Sequence, residues 1–105
     1  MADTPLDFLV RWFTSQCDGD WEHQQGVIID TLDNPGWSVK VDLLGTELEG
    51  LEVEMRKREE SEHVWLSWWS SGQAFEAACG PGQLNLALQA FEDFARRHRP
   101  HDPVG

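Results

Sequence analysis

The chain has 105 residues, of which 40% are hydrophobic and six are Trp, and its formal net charge is −11. This length predicts a single domain over residues 1–105, and aromatic residues spread along the chain argue against intrinsic disorder. The negative charge argues against nucleic-acid binding, and no apolar run approaches the roughly 20 residues that span a bilayer.

A capped helix is the first predicted element. Thr4 and Asp7 fit a capping box, and Pro5 suits the first helical position. An apolar stripe follows with the spacing of one buried helix face: Leu6, Leu9, Val10 and Phe13. The sequence therefore predicts a helix over residues 5–16, which Asp18-Gly19 ends.

The segment after this helix, here called the acidic loop (residues 18–23), reads Asp-Gly-Asp-Trp-Glu-His. Asp18, Asp20, Glu22 and His23 could bind a metal or act as acid and base, but their spacing does not match an EF-hand. Two other interpretations are open. The carboxylates could bond to nearby backbone N–H groups, or they could bind a partner together with Trp21.

A turn at Asp33-Asn-Pro-Gly36 separates two stretches of alternating apolar residues. Pro presets φ at a central turn position, and Asp accepts backbone N–H bonds. We therefore predict a hairpin in which Asp33 bonds within the turn and Gly36 has a positive φ.

The alternation of residues with a period of two, typical of strands, continues as far as Cys79. It predicts five strands, over residues 26–32, 37–44, 51–58, 64–70 and 73–79. The short connections between them predict an up-and-down antiparallel meander. A second amphipathic helix is predicted over residues 82–99, followed by a frayed tail at 100–105. The expected fold is α+β, a five-stranded antiparallel meander with an N-terminal and a C-terminal helix packed on one face.

Alternation also predicts which side chains lie on the sheet face without helices, here called the open face. The polar positions of the second and third strands belong there: Lys40, Asp42, Glu52, Glu54 and Arg56. In the fourth strand we expect Trp65 and Trp69 to point outward, since Ser67 lies between them. Exposed Trp beside carboxylates is typical of protein interfaces. The alternative, that other segments cover these rings, is open.

Three short sequence motifs carry a family resemblance. They are Cys-Asp-Gly-Asp-Trp-Glu-His at 17–23, Thr-Leu-Asp-Asn-Pro-Gly-Trp at 31–37, and Val-Asp-Leu with Gly-Thr at 41–46. In these the chain resembles the Immunity protein 53 family of bacterial polymorphic-toxin systems, over about residues 12–94. The resemblance implies neutralisation of a toxin, and it names neither the toxin nor the mode of binding.

The leading hypothesis is a cytoplasmic antitoxin that is not an enzyme and needs no cofactor or metal. Its partner would be a cognate toxin domain, with a basic nuclease as one candidate, and the inhibitor would be a monomer or a homodimer. The expected contact residues are Asp18, Asp20, Trp21, Glu22, Asp33, Asp42, Glu52, Glu54, Trp65 and Trp69. Two alternatives are open. One is a carbohydrate- or small-ligand-binding module that uses the two outward Trp residues, and the other is a small hydrolase that uses the acidic loop.

Overall fold

A computed structural model describes residues 3–97. It contains α1 (Pro5–Gln16), α2 (Trp21–Gln24), β1 (Val27–Leu32), β2 (Gly36–Asp42), β3 (Glu52–Glu59), β4 (Trp65–Ser71), β5 (Ala74–Cys79) and α3 (Leu84–Arg97). The α+β class, the five antiparallel strands and the two long helices are confirmed. The short helix α2 was not predicted. The expected tail at 100–105 and the predicted end of the second helix at residue 99 lie outside the described residues.

The meander order is wrong. The strands lie in the order β1-β2-β5-β4-β3, so β5 lies between β2 and β4 and β3 forms an edge. All neighbours are antiparallel. The sheet therefore joins a β1–β2 hairpin to a β3–β4–β5 meander through the pairing of β2 with β5.

The segment between β2 and β3 explains this order. Residues 43–51 pass along the end of the sheet instead of reversing direction beside β2. Leu43 N–H donates to Gln73 (2.8 Å), and Gly50 N–H donates to Gly72 (2.8 Å), so the segment bonds to the β4–β5 turn. Its Leu48 is fully buried. Because neighbouring strands are about 4.8 Å apart, this segment is long enough to reach the far edge.

Both helices lie on the same face of the sheet, and Phe91 of α3 joins them. Its fully buried ring contacts Phe75 of β5 at 5.3 Å between centroids. On its other side it contacts Trp12 at 5.1 Å and Phe8 at 6.1 Å, both from α1. The capping box predicted for α1 is present, with Thr4 and Asp7 exchanging two hydrogen bonds.

The β1–β2 turn forms as a hairpin with a cis bond between Asn34 and Pro35, but the predictions for Gly36 and Asp33 are wrong. Gly36 does not have a positive φ. The exposed Asp33 side chain makes no hydrogen bond within residues 3–97. Gly36 is required for a different reason, because a Cβ there would fall on the carbonyl oxygen of Cys79 in β5.

We expect Gly36→Ala to lower the free energy of unfolding by about 1–3 kcal/mol, because a methyl group would push β2 away from the Cys79 backbone. Urea denaturation measures this loss. Gly26→Ala is the matched control, since a Cβ there meets no atom within 4 Å. Equal stability of the two variants would contradict the close approach of β2 and β5.

Candidate functional site

The acidic loop bonds to its own backbone. The Asp18 carboxylate accepts hydrogen bonds from the N–H groups of Trp21 and Asp20, both at 2.9 Å. Glu22 accepts from the N–H groups of Asp18 (3.0 Å) and Gly19 (2.9 Å). These bonds hold the turn between α1 and α2, which is the local interpretation left open by the sequence.

The same hydrogen bonds lower the pKa values of the two carboxyl groups that accept them. Donation from Trp21 and then from Asp20 lowers the pKa of Asp18 below its usual value of 3.8. The pKa of Glu22 is also lowered, through its own backbone N–H and those of Asp18 and Gly19. Both carboxylates are therefore held in the ionised form, which suits a structural acceptor and not a general acid.

This arrangement predicts a pH dependence of stability. Because the folded-state pKa of Asp18 is depressed, its contribution is complete above about pH 3.8 and is lost as the pH falls through the lower folded value. Asp18→Asn should therefore lower the melting temperature at neutral pH, and its difference from wild type should shrink below pH 4. Asp20→Asn is the control, since the Asp20 side chain makes no hydrogen bond within residues 3–97. A constant difference across the pH range would contradict the role of Asp18.

Two of the predicted contact residues also have structural roles. Trp21 is buried in the core, and its Nε1–H donates to the Leu44 carbonyl oxygen (2.8 Å). The Asp42 carboxylate accepts from the Gly26 N–H (2.8 Å) and joins the start of β1 to the end of β2. Trp21 is only 8% exposed, so little of its ring is available to a partner, and its contact with a partner stays a prediction.

Trp65 and Trp69 lie on the open face, as expected. In the register of β4 with β5, Trp68 pairs with Ala77 and its ring contacts α3, whereas Trp69 pairs with Glu76. Because successive side chains of a strand point to opposite faces, Trp65 shares the face of Trp69. Both rings are half-buried.

A β-bulge in β3 changes which of its side chains lie on each face of the sheet. The register shifts between Val53 and Arg56, so that two residues, Glu54 and Met55, lie opposite the single residue Trp69. Met55 is 58% exposed. A bulge of this kind also bends an edge strand and discourages pairing with other chains.

The bulge contradicts one predicted placement. Arg56 pairs with Trp68, and its guanidinium lies over the Trp68 ring at 5.7 Å, on the helix-bearing face and not on the open face. Glu52, which precedes the bulge, pairs with Ser71 and stays on the open face. Strict alternation from Glu52 to Arg56 was therefore the wrong assumption.

The open face has more carboxylates than amines. The register places these charged residues on it: Asp30, Lys40, Asp42, Glu52, Lys57, Glu59 and Glu76. Sequence reasoning missed Glu76, which lies between Lys40 and Trp69 in neighbouring strands, because it placed β5 at the end of a meander. The alternation of Glu76 with buried Phe75 and Ala77 was the available signal.

The predicted contact residues therefore do not form one cluster. Trp69 lies between Glu76 and the bulge residue Glu54, and Trp65 lies beside Glu59. Asp20 and Asp33 are exposed but belong to separate loops. Within residues 3–97 no group of three His, Cys, Asp or Glu side chains is arranged to hold a metal ion. In the same residues no helix is long and apolar enough to cross a membrane.

Comparison with known families gives one match. The model of the Immunity protein 53 family matches residues 6–96, which is most of the chain. No curated protein and no solved structure shows significant similarity to the chain. Because the match includes nearly all of α1 and α3 and the whole sheet, the chain belongs to the Immunity protein 53 family.

Proposed function

We propose that this protein is a cytoplasmic antitoxin that binds a secreted toxin domain of a polymorphic-toxin system and blocks its active site through the open face. The observation that carries the proposal is the position of Trp65 and Trp69 on the sheet face without helices. Large aromatic side chains are the commonest anchors of protein interfaces. Family membership supplies a toxin as the general class of partner.

The charge of this face supports a basic partner. Its carboxylates surround the two Trp rings, and the whole chain has a net charge of −11. An acidic surface attracts a basic protein over a distance and speeds their encounter. A nuclease with a positively charged substrate cleft is one toxin class of this kind, and the open face would lie across that cleft.

Co-expression tests the proposal directly. The toxin domain encoded beside this gene should arrest growth of a bacterial host when produced alone, and this protein should restore growth. The purified pair should form a stoichiometric complex in which the toxin is inactive. Growth arrest that persists when both proteins are produced would contradict the proposed function.

A further inference from the structure

A groove of about 440 Å³ lies on the helix-bearing side of the sheet, between α3 and the edge strand β3. It exists because α3 packs on β2, β4 and β5, which leaves the inner side of β3 uncovered. Leu66 and Trp68 of β4 form its floor, and Ala90 and Phe94 of α3 form part of its wall. This β3–α3 groove is therefore apolar at its base, as most ligand-binding grooves are.

Three arginines line this groove, beside the two carboxylates of Glu60 and Asp93. Arg56 and Arg58 belong to β3, and Arg97 to the last turn of α3. Arg58 forms an ion pair with Glu60 (3.0 Å), but Arg56 and Arg97 form no ion pair within residues 3–97. The groove thus contains two cations without a partner carboxylate in the described part of the chain.

The surroundings of Arg56 suit its side chain to bind an anion. Its guanidinium lies over the Trp68 ring at 5.7 Å. The Arg56 N–H donors make no hydrogen bond or ion pair within residues 3–97, so they are free for a carboxylate, which a guanidinium can bind in a bidentate way. Arg56 and Arg97 are both exposed, so a carboxylate of a partner can reach them.

The apolar rim of the groove points to a peptide chain as the occupant. Leu86 and Val64 at the groove are 49% and 37% exposed, a larger apolar rim than a small acid would cover.

We propose that the β3–α3 groove binds a segment of the protein partner that carries an aromatic or branched apolar side chain next to a carboxylate. The apolar side chain packs on Trp68 and Leu66, and the carboxylate pairs with Arg56 and Arg97. The inference rests on the proposed function in one respect, which is that it takes the toxin to be the protein partner. The groove lies on the opposite side of the sheet from Trp69, and Trp65 lines its edge, so it would be a second contact beside the open face.

Capped dipeptides test the groove without the toxin. Acetyl-Phe-Asp-amide should shift the Trp68 indole N–H resonance in a saturable way in ¹H–¹⁵N NMR spectra. Acetyl-Phe-Asn-amide differs only in the charge and should bind about tenfold more weakly, because a charge-assisted hydrogen bond is lost. Phenylacetate tests whether a small acid is sufficient, and it should bind more weakly than the Asp peptide.

Two variants locate the binding. Arg56→Gln and Arg97→Gln should each weaken binding of the Asp peptide severalfold, and Arg97→Gln leaves the Trp68 contact with Arg56 intact. Lys40→Gln on the open face is the matched control and should bind like wild type. Four outcomes would each overturn the proposal. They are equal binding of the two peptides, full binding of the Asp peptide by both Arg variants, binding of phenylacetate that is as tight as or tighter than that of the Asp peptide, and no shift of the Trp68 resonance at millimolar peptide. The result is independent of whether the protein rescues growth.

Discussion

Phe91→Ala should lower the free energy of unfolding by about 3–5 kcal/mol. The Phe91 ring is fully buried and contacts rings from both α1 and the sheet, so its removal leaves a cavity that no single element can close. Such a loss would consume much of the stability of a domain of this size. Urea denaturation followed by circular dichroism measures it.

The control for this variant is on the same helix. Leu86→Ala removes a side chain that is 49% exposed, so we expect a change of about 0.5 kcal/mol or less. If the two variants lost similar stability, Phe91 would not hold α1 and α3 on the sheet.

Trp69→Ala should weaken the complex with the toxin domain by about 2 kcal/mol or more, which is close to thirtyfold in Kd. Trp65→Ala should have an effect of the same kind. The loss should appear as faster dissociation, because a desolvated aromatic anchor acts after the encounter. Surface plasmon resonance with the immobilised toxin domain measures both rates.

Ile28→Ala provides the matched control for the open face. Ile28 is 59% exposed and lies on the same face, but in the edge strand β1, at the far side from β4. Its loss should leave the rates close to those of wild type. All variants need a folding check by circular dichroism. If both Trp variants fold and bind with unchanged rates, the open face is not the toxin-binding surface.

Local patterns in the sequence predicted the elements, because each element depends on its own residues. The capping box at Thr4 and the alternation of the strands identified five strands and two long helices to within about two residues where both ends are described. The strand order could not be predicted in this way. It depends on the path of residues 43–51 and on two backbone hydrogen bonds to a turn more than twenty residues away.

The candidate site shows the same limit. The outward placement of Trp65 and Trp69 followed from alternation within β4, which is regular. In β3 the bulge inserts one residue, and alternation then placed Arg56 on the wrong face. Gly36 was correctly singled out, but the reason is the Cys79 carbonyl in β5, a neighbour that the assumed meander did not provide.

The position of β5 has a consequence for synthesis on the ribosome. β5 is the last strand in the chain and the central strand of the sheet, so the β1–β2 and β3–β4 hairpins have no direct pairing before it emerges. A nascent chain that ends before residue 74 therefore presents the inner edges of β2 and β4 as unpaired strands, which favours aggregation or chaperone binding. The core can therefore close only after α3 has also been synthesised, since α3 follows β5 in the chain and supplies Phe91 and Phe94 to it.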